Sequence, residues 1–294
     1  MRSFLHGRCF PPISLLLILA FSLACSETPK VNKESPEGRY AEAKKAIADA
    51  KFEKAISLTG EVMSKHSGSE YADRARILRI ILMAGLSEGY KSMADAYLAG
   101  FEKSIKNAGQ FRSTAFDYYR KQKSEVLAFY EACDYFLKNY SETTPYVLDC
   151  DFPSRDVTIN RGIDDIKAGK LITPELLKVT DETELQNKVI LTLCSFVGAG
   201  EDRAKARKEV EAGPKNLEHS EFMVTIGRTL LDNYKLFGRQ ALNDPNYFKQ
   251  FIQKAKESSE LAQKLLKEKP NKEAKERADR LKSDIDAIEK KASK

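Results

Sequence analysis

Tyr40, Ala43 and Ile47 fall three and four residues apart, the period of one apolar face of an α-helix. Asp49–Lys51 interrupts the pattern before Phe52, Ala55, Ile56, Thr59 and Met63 resume it, and His66–Ser69 breaks it again ahead of Tyr71, Ala75, Leu78 and Leu82. Short apolar stripes with such tight breaks admit few folds. Each stripe must bury itself on a neighbour, so the chain has to stack helical hairpins as a bundle or a solenoid. The small Ala43 and Ala55 allow close helix approach, and Phe52 fills the space between.

The same texture continues. Val126, Phe129, Cys133, Phe136 and Tyr140 form a helical stripe, and Thr173-Pro174-Glu175 reads as an N-cap with proline in the first turn. Asp181 with Glu184 reads as a capping box opening a helix that runs to Gly198. Gly213-Pro214 ends a charged helix, and Met223, Ile226, Leu230, Tyr234 and Phe237 mark a long one that stops at Gly238. Ala274, Ala278, Leu281, Ile285 and Ile288 make a narrow seam suited to a solenoid's final capping helix or to a coiled-coil dimer. No sustained strand pattern occurs, so the expected fold class is all-α. Residues 149–173 are the least regular, either an insertion at the functional face or a long connection.

The strings "AEAKKAIADAKFEKAISL" and "SGSEYADRAR" resemble a tetratricopeptide repeat of the kind found in outer-membrane assembly lipoproteins, over about residues 36–85. Ala43 and Ala55 stand where the repeat wants small residues. The departures are Arg39 or Tyr40 at its large aromatic, Thr59 at its helix-B phenylalanine and Ser67 at its closing proline. A carboxyl-terminal echo aligns Leu261, Leu265 and Pro270 with Leu58, Val62 and Ser67. The resemblance implies a TPR-like helical-hairpin solenoid over 39–294 with a C-terminal capping helix.

At the amino end, Arg2 and Arg8 precede an uncharged run from Ile13 to Ala24. It is shorter than the roughly 20 residues a membrane span needs and suits the apolar region of a secretory signal. "FSLAC" resembles a bacterial lipobox, with Ser22 in place of the preferred leucine. The resemblance implies removal of residues 1–24, lipidation of Cys25 and a membrane tether through residues 25–38, a polar leash with two prolines. Ser26 lacks the aspartate that favours inner-membrane retention, so the implied location is the outer membrane, facing the periplasm. Without Arg2 and Arg8 the formal charge falls from +6 to +4. The export signal and the lack of a clustered basic and aromatic motif argue against nucleic acid. Cys133, Cys150 and Cys194 lie in apolar surroundings, as small buried hydrophobes do, and permit at most one disulfide among them.

No catalytic, metal or cofactor motif is present, and the histidines after residue 24 are only His66 and His219. The expectation is therefore a non-enzymatic protein without a cofactor. Eleven aromatics lie between Phe111 and Phe152. Tyr118, Tyr119, Tyr130 and Tyr135 fall off the core stripe and are the predicted binding residues of a recognition groove. The function expected is an envelope scaffold that binds a protein or peptide partner. The alternative is an accessory lipoprotein enclosing a small apolar ligand, resembling the helical component associated with tripartite solute transporters.

Overall fold

Ser35 starts the first helix: its Oγ accepts the Gly38 N–H at 3.1 Å, and Pro36 occupies the first turn. The computed structural model describes residues 32–154, 159–238 and 242–292. These form α1 (Pro36–Ala48), α2 (Phe52–Lys65), α3 (Glu70–Lys103), α4 (Ala108–Lys138), β1 (Tyr146–Leu148), α5 (Arg161–Lys167), α6 (Pro174–Phe196), α7 (Arg203–Glu211), β2 (Lys215–Leu217), α8 (His219–Asn233), α9 (Pro245–Glu268) and α10 (Lys272–Ala292). A 3-10 turn, Tyr234–Gly238, extends α8. The protein is all-α apart from one two-stranded antiparallel ribbon that sets Tyr146 opposite Leu217. Three-residue strands are too short to leave an alternation in the sequence. The signal segment, Cys25 and the leash up to residue 31 lie outside the described residues, as do residues 155–158 of the irregular segment.

Helix α3 organises the packing. From Ile80 to Tyr90 only Glu88 escapes burial, so the helix is apolar around nearly its whole circumference, as a central helix must be. It packs against α1, α2, α4, α5 and α6. Gly85 and Gly89 let α6 approach: an added Cβ would lie 2.7 Å from Val189 Cα and 2.7 Å from Leu185 Cδ2 respectively. Beyond this group, α8 packs on α9 and α10, and α4 and α6 join it to the α3 layer. Polar ties cross that junction. Lys254 Nζ of α9 reaches Asp134 of α4 at 2.7 Å, and Gln122 of α4 donates to Asn233 of α8 at 3.2 Å.

The two tight turns of the first hairpin fall where expected, and Ala43 and Ala55 are fully buried. Helix α2 buries Phe52, Ala55, Leu58, Thr59 and Val62, leaving Ile56 and Met63 half-buried, so its inner face is rotated from the predicted stripe. At 34 and 31 residues, α3 and α4 are far longer than the helices of the first hairpin. Asp181 and Glu184 do not cap a helix. Thr173 already caps α6 by accepting the Leu176 N–H at 3.3 Å, and the helix runs unbroken through both acids. They face other helices instead: Asp181 accepts from Tyr118, and Glu184 accepts from Ser92 Oγ at 2.6 Å. Ala274, Ala278, Leu281 and Ile285 of the α10 seam are buried within this chain, against α8 and α9.

The irregular segment is pinned to the first hairpin. Asp149 is buried and accepts from Lys44 Nζ at 2.6 Å and Arg74 Nη1 at 3.2 Å, while its backbone carbonyl accepts the Tyr40 hydroxyl at 2.6 Å. The three cysteines are free and buried. Burial, with Asp149 and Asp151 nearby, pushes the Cys150 thiol up to about 12, which keeps it protonated and unreactive.

Candidate functional site

The four predicted binding tyrosines separate. Tyr118 is 5% exposed and Tyr119 1%, both in the core. Tyr118 donates to both Asp181 carboxylate oxygens at 2.6 Å and stacks on Tyr97 at 5.6 Å, and Tyr119 donates to Asp95 at 2.6 Å. As surface residues these two are corrected by the structure. Helix α4 packs against α3 on one side and α8 and α9 on another, so residues off its main stripe are buried too. Tyr130 is half-buried, packed on Phe251 at 4.9 Å and Tyr247 at 6.2 Å. Tyr135 is 52% exposed, with the Arg76 guanidinium 5.1 Å from its ring centroid, beside a hollow of about 290 Å³. No common groove gathers them.

A larger concavity lies elsewhere. A cavity of about 520 Å³ opens between α3, α4, α8, the 3-10 turn and α10. Its lining includes Lys91, Gln122, Arg228, Lys235 and Lys291, with an apolar part from Leu231, Leu236, Ala287 and Ile288. Two neighbouring hollows, of about 200 and 390 Å³, share Arg228 with it, and we refer to the three together as the α8–α10 groove. Arg277, Arg280, Asp284, Ile288 and Lys291 recur at helical spacing along α10 over roughly 20 Å, the first three on one hollow and the last three on the larger cavity. That length takes about six residues of extended peptide.

Charge is unevenly distributed along this groove. Six cations line it, namely Lys91, Arg228, Lys235, Arg277, Arg280 and Lys291, against Glu88, Asp232 and Asp284. Arg228 bridges Asp232 at 3.1 Å on its own helix and Asp284 across on α10, so both carboxylates are committed. Burial holds the Asp232 carboxyl above the usual carboxylate range, against the pull of Arg228. Lys91 lies 3.4 Å from Glu88. Arg277 donates to Thr225 Oγ1 at 2.8 Å and Arg280 to the Glu276 carbonyl at 3.2 Å, and neither has an ion pair among the described residues.

One buried group on the groove wall lacks a partner. Asn233 Nδ2 donates to the Thr229 carbonyl at 2.9 Å, which turns its Oδ1 toward Gln122 Nε2. That relay fixes the Gln122 amide and leaves Oε1 buried without a hydrogen bond. An unmatched buried acceptor of this kind is uncommon in a folded protein. The groove thus offers cations beside an apolar patch, which is chemistry for holding a polar chain.

Sequence reasoning missed this site. Its residues come from helices up to 200 positions apart, and a row such as Arg277, Arg280 and Asp284 reads as an ordinary solvated face. Comparison with protein-family models, with curated proteins and with solved structures gave no match.

Proposed function

We propose that this chain is a non-catalytic envelope lipoprotein, tethered through an acylated Cys25 to the outer membrane and facing the periplasm, that holds a partner polypeptide in the α8–α10 groove. The carrying observation is the cavity between α8, the 3-10 turn and α10, which is open and half charged, with further cations on the hollows beside it. Enclosure of a small apolar molecule calls for an apolar, closed site, and that lining speaks against it. The α1–α2 hairpin and its following turn support a tetratricopeptide-like array at the amino end, with α9 and α10 as the closing pair.

Two results test the reading. Cys25→Ser abolishes incorporation of a palmitate analogue in metabolic labelling, and equal labelling of both forms removes the lipid anchor from the proposal. Arg277→Glu with Arg280→Glu lowers capture of a reproducible partner from detergent-solubilised envelopes by about tenfold or more. Both side chains are on the outer helix, so melting should shift little. Unchanged capture by a folded double variant excludes the groove as the binding surface.

A further inference from the structure

Seven large hydrophobic side chains are exposed among the described residues: Phe101, Ile105, Tyr135, Ile159, Leu171, Leu176 and Val179. All except Tyr135 belong to one end of the molecule, where α3 finishes, α4 begins, and α5 and the start of α6 pack. Helices α3 and α6 are antiparallel: Gly85 meets Val189, Gly89 meets Leu185 and Ser92 meets Glu184. The first turns of α6, with Leu176 and Val179 on one face, therefore lie level with the end of α3. Gly169 abuts the backbone of Lys103 and Ser104, which places Leu171 near Phe101 and Ile105. Asn160 Nδ2 donates to the Thr180 carbonyl at 2.9 Å, which sets Ile159 beside Val179. Ile105, 97% exposed in the α3–α4 connection, has no packing role.

Cations are interleaved with this apolar end. Lys103, Lys106, Arg161, Lys167 and Lys178 are exposed and form no ion pair among the described residues. Of the acids, Asp165 is taken by Lys170 at 3.0 Å, whereas Glu175, held below the usual range by hydrogen bonds to its own backbone and Thr173 at the start of α6, keeps its negative charge. Glu102, Asp164 and Glu175 remain, with Glu182 one turn beyond Val179, against the five unpaired cations, so a small positive excess is left.

We propose that this end is a lipid-docking tip, in which Phe101, Ile105, Leu171 and Leu176 enter the interfacial layer of an anionic bilayer while the surrounding cations meet its head groups. Three features select a lipid surface over a protein partner. Protein interfaces deplete lysine and draw their binding energy from Trp, Tyr and Arg anchors in pockets. Here the side chains are mostly aliphatic, the cations are mostly lysine, and Ile105 stands on a connection between helices rather than in a hollow. Lysine stems snorkel readily at a membrane interface, where Phe and Leu side chains dip below the head groups. Anionic lipid adds an attraction for each cation. The tip is independent of the α8–α10 groove and of any acyl chain at Cys25.

The test uses the full chain with Cys9→Ser and Cys25→Ser, labelled with a polarity-sensitive fluorophore at Ile105→Cys. Cys133, Cys150 and Cys194 are buried and remain unlabelled. On vesicles of phosphatidylcholine and phosphatidylglycerol the emission shifts to the blue and is quenched by doxyl-labelled lipid. Leu176→Glu with Val179→Glu weakens vesicle partitioning about tenfold at unchanged melting temperature. A label at exposed Ser64→Cys, on α2 next to the α2–α3 turn, stays in water and controls for contact made through the amino-terminal segment. No shift at Ile105→Cys overturns the proposal, as does an equal shift at both positions. A shift that grows with protein concentration without vesicles assigns the patch to a second copy and overturns it as well.

Discussion

Tyr118→Ala combined with Tyr119→Ala is expected to abolish cooperative folding. Truncating a buried aromatic costs about 3–5 kcal/mol, and both rings are buried. Even with strong coupling between neighbours, about 5 kcal/mol is lost, comparable to the whole stability of many domains. The single change Tyr118→Phe isolates the hydroxyl. It leaves Asp181 without the hydrogen bond that holds its pKa down, although burial already pushes that carboxyl above the usual range. A raised folded-state pKa gives stability that is present below the unfolded value near 3.9 and is lost as pH rises from there through the folded value. Removing the hydroxyl raises the folded value further, so Tyr118→Phe costs more at pH 7 than at pH 3, by about 1–3 kcal/mol. Denaturant melts at the two pH values read this directly. Equal losses at both mean that the hydroxyl does not serve the carboxylate.

The second large effect belongs to the crossing of α3 and α6. Gly85→Leu places a side chain where even a Cβ would be 2.7 Å from the Val189 backbone, so α6 must move as a body. Overpacking usually costs about 1–3 kcal/mol and more where backbone blocks relief. Because α6 carries the partners of Ser92 and Tyr118, the loss should lie at or above the top of that range. Circular-dichroism melting of Gly85→Leu beside Gly85→Ala orders the two by size. A Leu variant as stable as the parent contradicts the tight crossing.

Local signals in the sequence carried helix starts and stops well. Thr173-Pro174 and Gly213-Pro214 punctuate helices through backbone chemistry that needs no tertiary context, whereas Ser35-Pro36, read as part of the polar leash, in fact opens α1. The α10 seam was equally legible because one side of that helix faces solvent, so a narrow stripe marks its inner face. Helix α4 broke the same logic. It is gripped from several directions, and Tyr118 and Tyr119 are buried with their hydroxyls on carboxylates of α6 and α3. A tyrosine off the stripe is a surface residue only if its helix has a free side. The groove was illegible for a different reason. Gln122 joins it through an amide relay to Asn233, 111 positions away, which no local pattern announces. At the apolar tip, Ile105 stands alone between polar neighbours in "KSIKN", and only the antiparallel course of α3 and α6 collects it with Leu176 and Val179.

The most direct measurement for the groove is site-specific photocrosslinking in living cells. A photoreactive side chain at Ala287, beside Ile288 in the groove, should give a discrete adduct with one partner protein. The same group at exposed Glu131 on α4 should give none. Arg277→Glu with Arg280→Glu should erase the Ala287 adduct while leaving the protein folded. Adducts of equal yield from both positions, or none from Ala287 in cells where the protein is folded, would contradict a polypeptide bound in the α8–α10 groove.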